Sequence, residues 1–507
     1  MAESFTHLLN GFTFVLTFKA LFFCLIGVMM GAFVGALPGL GCSSGTAILL
    51  PFVFGMNPQY AIIMLAGIYY GAMYSGSITG TLLNIPGESG ALFSAVEGHP
   101  LYLQGKGAYA IRTGIIASFI SGTVFVVVLT LFAPALAQWC LKFGSPEKFA
   151  LMFFAFVFVS ALSGKSLAKN FIALGIGVAF ALIGTDSMTG IPRFTFGQIW
   201  LADGIDFAIA ILGCYAIAEI MKQAGDGYDE NYDKEVPKIT FKEVFPRWSE
   251  IKALKGSITR GGIIGFICGA MPGAGATIAA FISYGFEKKI SKHPEKFGHG
   301  AIEGIACTEA ANNAASTGAM VPLLGLGIPG SSTTAVLLTG FLMFGLQPGP
   351  ALFTDHPDIA WSLIASMYVG NIMLVFMCLA GISVFVWLVQ KSIPFLTPMI
   401  VAICIAGSFT INNWTRDVWL MAAFGIIAYI LSLLEFPMVN ILLGLILGGD
   451  MEFNFVKSIV LSDGDPLTFF KKPISGTLMV VSILLILVPL IMKLFRKLTK
   501  KDVLLQN

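Results

Sequence analysis

Apolar residues in this chain run in long blocks with few charges, and the blocks reach the roughly 20 residues that a helix needs to cross a hydrocarbon core at about 1.5 Å per residue. Residues 115–133 form one such block, and 476–492 a slightly shorter one. Several blocks are interrupted by glycine and proline. Gly35-Ala36-Leu37-Pro38-Gly39-Leu40-Gly41 is one interruption, and Gly269-Ala270-Met271-Pro272-Gly273-Ala274-Gly275 repeats it 234 positions later. Each is followed by a second: Leu82-Leu83-Asn84-Ile85-Pro86-Gly87-Glu88-Ser89 in the first stretch, and Leu323-Leu324-Gly325-Leu326-Gly327-Ile328-Pro329-Gly330-Ser331-Ser332 in the other. Two breaks in the same order, twice, predict an internal repeat.

Backbone that leaves the helix at membrane depth strands N–H and C=O groups, so it survives only when buried in protein or lining a watery cavity. Paired broken helices of this kind are the sequence pattern of a secondary transporter. The expected fold is an all-α polytopic membrane protein with roughly ten to fourteen transmembrane or re-entrant helices in two repeats, read as inverted. The divisions are 1–225 for the first repeat, 226–256 for a polar cytoplasmic linker, 257–455 for the second repeat, and 456–507 for a last spanning helix with a basic tail. Lysines and arginines lie on both sides of the Pro272-Gly273 segment: eight from Lys222 to Arg260 before it, and Lys288, Lys289, Lys292 and Lys296 after it. A full crossing would put one of these loops on the wrong side of the membrane, whereas a segment that dips in and turns back removes the conflict. A kinked spanning helix with a loop that breaks the charge rule is the alternative.

Composition agrees with this picture. The chain has 507 residues, 56% hydrophobic and 11% charged, with a mean hydropathy of +0.84; a soluble domain carries about 25% charged residues. The net charge of +2 and the lack of a basic tract exclude a nucleic-acid partner, and membrane lipid is the expected surroundings. Eight scattered cysteines without a C-x-x-C pair read as small core residues. No lysine or arginine precedes the first apolar block, so the first span is expected to be retained. Lys493, Arg496, Lys497, Lys500 and Lys501 place the C-terminal end in the cytoplasm.

Hydroxyl and amide side chains cluster at the breaks. Half-helix N-termini offer free N–H groups and a positive dipole end to a carboxylate, which marks Ser43, Ser44, Asn84, Gly87, Asn312, Asn313, Gly330, Ser331 and Ser332 as candidate substrate contacts. Unwound carbonyls and hydroxyls suit Na⁺, which marks Pro38, Gly39, Thr46, Pro272, Gly273, Thr277 and Glu309 as candidate cation contacts. Small residues that merely let helices pack, and a structural hydrogen-bond network for Asn312 and Asn313, are the alternatives. Glu88 and Glu309 are intramembrane acids able to hold a cation or carry a proton. No catalytic residue, cofactor or metal is expected beyond Na⁺ as a candidate coupling ion. Gly87-Glu88-Ser89-Gly90 matches a short serine-protease pattern, but a nucleophilic serine needs a base within reach, and no histidine lies in a later apolar block. Without a nucleotide fingerprint, transport must draw on an ion gradient or membrane potential; a passive anion channel on the same repeat is the competing reading.

Residues 35–41, Tyr70-Gly71-Ala72-Met73-Tyr74-Ser75-Gly76-Ser77-Ile78, Asn84-Ile85-Pro86-Gly87, residues 309–313 and Leu326-Gly327-Ile328-Pro329-Gly330-Ser331 together resemble the large membrane subunit of the tripartite tricarboxylate transporters. The resemblance covers nearly the whole chain. It implies a multi-pass bacterial inner-membrane protein that works with a small membrane subunit and a periplasmic solute-binding protein. It also implies uptake of citrate or related carboxylates driven by Na⁺ or H⁺. Tyr70-Gly71-Ala72 stands where the family usually has Tyr-Gly-Gly, and Tyr74-Ser75-Gly76-Ser77 where it has Tyr-Gly-Gly-Ser. The carboxylate carried and the oligomeric state, a homodimer included, stay open.

Overall fold

The structure, a computed structural model, describes residues 2–37, 41–84, 87–162, 166–186, 188–226, 247–273, 275–380 and 382–504. Pro38, Gly39, Ile85 and Pro86, and most of the expected linker, lie outside them. Among the described residues six helices are long and apolar enough to cross a membrane: Phe18–Ala36, Pro58–Leu82, Gly107–Cys140, Pro357–Leu379, Thr415–Leu433 and Met438–Leu461. Shorter apolar helices include Gly41–Val53, Leu167–Ala181 and Ser332–Met343. Among the described residues the only strands are the two-residue pair Gly184–Thr185 and Pro192–Arg193. The chain is an all-α polytopic membrane protein.

Packing groups the chain into two compact units, residues 1–140 with 208–430, and residues 141–207 with 431–507. The grouping does not follow the polar linker, because the first and second stretches interlock within the first unit. At the centre of that unit are two enclosed helices. Pro58–Leu82 is buried along its spanning window, and every residue from 304 to 325 of the helix Ile302–Leu326 is buried. A helix covered all round in this way needs no polar face.

One outer helix lies against each central helix, and the contact is the same in both. Gly27, Gly31 and Gly35 of Phe18–Ala36 meet the backbone of Met64, Ile68 and Ala72, while Gly261, Gly265 and Gly269 of Trp248–Ala270 meet Cys307, Ala311 and Ala315. A Cβ at any of the six would collide with backbone of the facing helix. This is the small-residue crossing that lets membrane helices approach closely. The outer glycines recur at an offset of 234 and their partners at 243. The next long helices then cross over: Gly107–Cys140 packs on Ile302–Leu326, and Pro357–Ala380 on Pro58–Leu83.

Both central helices end on a left-handed residue, Asn84 at φ 59° and Gly327 at φ 72°, again 243 positions apart. Gly87 and Gly330 then lie back against the helix that each follows. Gly87 N–H reaches Gly76 O at 3.5 Å, and a Cβ on Gly330 would stand 2.7 Å from Ala319 Cα and 2.9 Å from Gly269 O. Only glycine fits these wedges. Helical structure then resumes at Ser89 in the first stretch and Ser332 in the second.

The second unit comprises Ser145–Leu162, Leu167–Ala181, Met438–Leu461 and Pro473–Leu504. Gly177 and Gly444 allow a close crossing of the second and third of these helices. A bidentate pair joins Arg193 to Glu452 at 2.7 and 2.8 Å.

Candidate functional site

Each first break opens a hairpin. Trp248–Ala270 turns at Met271, Pro272 and Gly273 and returns as Gly275–Ile290. Gly273 and Gly275 take φ of 83° and 64°, a left-handed region that favours glycine. At the open end Glu287 accepts from Ser257 Oγ at 2.6 Å and from Arg260 at 2.6 and 2.9 Å, so the two arms are tied far from the tip. In the other hairpin Gly41, at φ 65°, starts the helix Gly41–Leu49, and Gly45 leaves room for Val34 of the opposite arm.

The hairpin of each stretch meets the second break of the other. Thr277 Oγ1, on the second hairpin, lies 2.6 Å from Ser89 Oγ at the first stretch's break. Beside it Asn312 Nδ2 donates to Glu88 Oε1 at 2.7 Å and to Met73 O at 3.3 Å. At the other crossing Gly41–Leu49 packs on Ser332–Met343, and Cys42 Sγ leans on Tyr69 O at 3.6 Å. Here Tyr69 Oη lies 3.4 Å from Ser331 Oγ. At the offset of 243, Asn312 corresponds to Tyr69, and Glu88 to Ser331. The two crossings are one arrangement with different side chains.

Ser331 closes its helix with a capping box: its Oγ accepts from Thr334 N at 3.2 Å, and its own N–H donates to Thr334 Oγ1 at 2.8 Å. That satisfies two of the first-turn donors and leaves the N–H groups of Ser332 and Thr333 at a positive dipole end. Ser331, Ser332 and Ser43 are half-buried, while Ser44 is buried. Thr46 is fully buried and spends its hydroxyl on Cys42 O at 2.8 Å. Asn84 is exposed at its helix end. Gly273 donates its N–H to Gly330 O at 3.0 Å, which joins a hairpin tip to the second break.

Glu309 and Asn313 belong to a neighbouring buried network. Glu309 accepts from Ser94 Oγ at 2.5 Å and from Ser118 Oγ at 3.3 Å. Asn313 Nδ2 donates to Ser118 Oγ at 2.6 Å and to Glu309 O at 3.2 Å. The adjacent amides therefore face different ways, Asn312 toward Glu88 and Asn313 toward this network. Ser94, Ser118 and Glu97 were invisible as partners in the sequence. Glu97, fully buried, accepts from Tyr284 Oη at 2.5 Å and from the N–H groups of Gly298, Gly300 and Ala301 at 2.5, 2.8 and 2.7 Å. Its place in Glu97-Gly98-His99-Pro100 reads as loop, and only its distant partners reveal it. Tyr74 donates to Asn371, which bonds Thr123 at 2.7 Å.

The model of the tripartite tricarboxylate transporter TctA family matches residues 21–443. The chain belongs to that family. An uncharacterised 52.8 kDa protein in the TAR-I ttuC' 3' region of Agrobacterium vitis is 37% identical over 496 residues, 97% of each chain. A second uncharacterised protein, in the TAR-II ttuC' 3' region of the same organism, is 39% identical over 230 residues, covering 44% of this chain and 94% of its own. No solved structure matches. Family membership makes the chain the large subunit of a tripartite tricarboxylate transporter, a multi-pass inner-membrane protein. The family's tripartite system implies a small membrane partner and a periplasmic binding partner.

Proposed function

We propose that the protein takes up tricarboxylates or related di- and monocarboxylates by secondary active transport coupled to Na⁺ or H⁺. A periplasmic solute-binding protein delivers the carboxylate and the small membrane subunit completes the complex. The observation that carries this reading is the double crossing, where polar groups and a half-helix N-terminus meet between enclosed helices. An N-terminus with free N–H groups suits a carboxylate, and the small hydroxyls around Ser331 suit its oxygens.

The two stretches are read as inverted repeats, and their hairpins as re-entrant elements whose tips frame the path. Alternating access would then move the crossed tips against the remaining helices, as broken-helix carriers do. The reading is tested by uptake into vesicles containing both membrane subunits, with binding protein outside and a panel of labelled carboxylates, with and without a Na⁺ gradient and a protonophore. Accumulation above the external concentration is expected for at least one carboxylate. Equilibration without accumulation under every gradient would show a passive channel instead.

A further inference from the structure

Glu88 has less company than the other carboxylates buried in the first unit. It accepts one hydrogen bond among the described residues, from Asn312 Nδ2 at 2.7 Å. Glu309 takes two hydroxyls, and Glu97 takes three backbone N–H groups and a phenol. None of the ion pairs among the described residues involves Glu88, although it is 7% exposed. A carboxylate offers about four acceptor sites, and an unpaired buried charge is expensive inside a membrane protein.

The group beside it makes the imbalance larger. Asn312 is fully buried, and its two N–H bonds go to Glu88 and the Met73 carbonyl. That fixes the amide orientation, with Oδ1 buried and lacking any hydrogen-bond partner among the described residues. A missing partner of this kind calls for an explanation, such as an ion. Both oxygens pack against Gly90 so closely that a Cβ there would stand 2.5 Å from Asn312 Oδ1 and 2.9 Å from Glu88 Oε1 and would push them aside. Two acceptor oxygens thus lie side by side, and the one hydrogen bond they receive among the described residues is the Asn312 amide's to Glu88. Ser89, next in the chain, is exposed and touches Thr277.

We propose that Glu88 and Asn312 Oδ1 seat a desolvated monovalent metal cation, for which Na⁺ is the probe, at the first stretch's break and apart from the hydroxyl-lined end at Ser331. The proposal rests on the coupled-transport reading and assigns its cation a place. A hard monovalent ion takes carboxylate and amide oxygens together. Glu88 Oε1, the oxygen packed against Gly90, already accepts the Asn312 amide, so it serves a metal ion as a lone-pair donor while keeping that bond. The equivalent position at the other crossing is Ser331, which carries no charge and cannot hold a cation in the same way.

The test is thermal unfolding of the purified full-length chain while Na⁺ replaces choline at constant ionic strength, at two pH values. Na⁺ should raise the parent's Tm in a saturable way, as a ligand that binds only the folded state does. Glu88→Gln should weaken the apparent Na⁺ affinity about tenfold or more. Gly90→Ala should do the same without changing any charge, because its Cβ displaces both oxygens. Asn312→Asp keeps an oxygen there, adds a charge and should strengthen the response. A parent indifferent to Na⁺, a Glu88→Gln variant that responds as the parent does, or stabilisation that follows acid and not Na⁺ would each overturn the proposal. Because the readout is stabilisation, absent Na⁺ binding alongside gradient-driven uptake removes this seat alone. Na⁺ binding with no uptake in any vesicle removes the transport reading instead.

Discussion

The two crossings share a frame and differ at their centres. In both, a helix with three glycines supports a central helix, the central helix ends on a left-handed residue, and a glycine wedge leads the chain back. What changes is the pair at the crossing: Asn312 with Glu88 in one, Tyr69 with Ser331 in the other. The first pair presents acceptor oxygens and a carboxylate. The second presents two hydroxyls, each able to donate, beside a capped helix N-terminus. A duplicated scaffold has thus acquired opposite electrostatic preferences at matching positions. This is what a carrier of an anion and a cation requires if each is to have its own seat.

Breaking the shared frame should have the largest effect, and an equal one on both sides. Gly31→Val and Gly265→Val each drive a branched side chain into facing backbone, so each should cost about 4 kcal/mol or more; yield and Tm in detergent measure it. Destabilisation of one and tolerance of the other would show that the frames are not alike. Ser331→Glu should come next, since a carboxylate at the neutral crossing repels the substrate, and labelled uptake should fall about 100-fold with Na⁺ stabilisation retained. Glu97→Gln sits outside both crossings and tests stability only: an amide facing three backbone donors should cost about 3 kcal/mol. The smallest effect belongs to Ser89 and Thr277, whose bond of 2.6 Å is near the surface. A double-mutant cycle with Ser89→Ala and Thr277→Ala should give a coupling below about 1 kcal/mol.

Much of the frame was legible before the structure. Proline and glycine at membrane depth announce irregular backbone, and the paired breaks announced the repeat. The register between the two stretches is harder to read, because the first breaks recur at an offset of 234 and the second at 243. The glycine contacts of the central helices fix the offset of 243 and so set Asn312 against Tyr69, since packing distance constrains register tightly. The partnership of Asn312 with Glu88 spans 224 positions and has no local signal, and the same holds for Ser94 with Glu309 across 215. Adjacent amides looked equivalent in sequence, yet one residue along a helix is a turn of about 100°, enough to send Asn312 and Asn313 to different networks. Glu97 sat in a segment with every mark of a loop, where a fourfold-satisfied carboxylate cannot be foreseen.

The account turns on whether the crossings divide the two solutes between them, and one kinetic comparison reaches that directly. Initial uptake rates in vesicles with both membrane subunits would be titrated against Na⁺ and, separately, against substrate, for the parent, Glu88→Gln and Ser331→Ala. Glu88→Gln should raise the half-saturating Na⁺ concentration about tenfold with little change for substrate, and Ser331→Ala should shift substrate with little change for Na⁺. If both variants move the same titration, or Glu88→Gln moves only the substrate's, the crossings do not divide the solutes and the account is wrong.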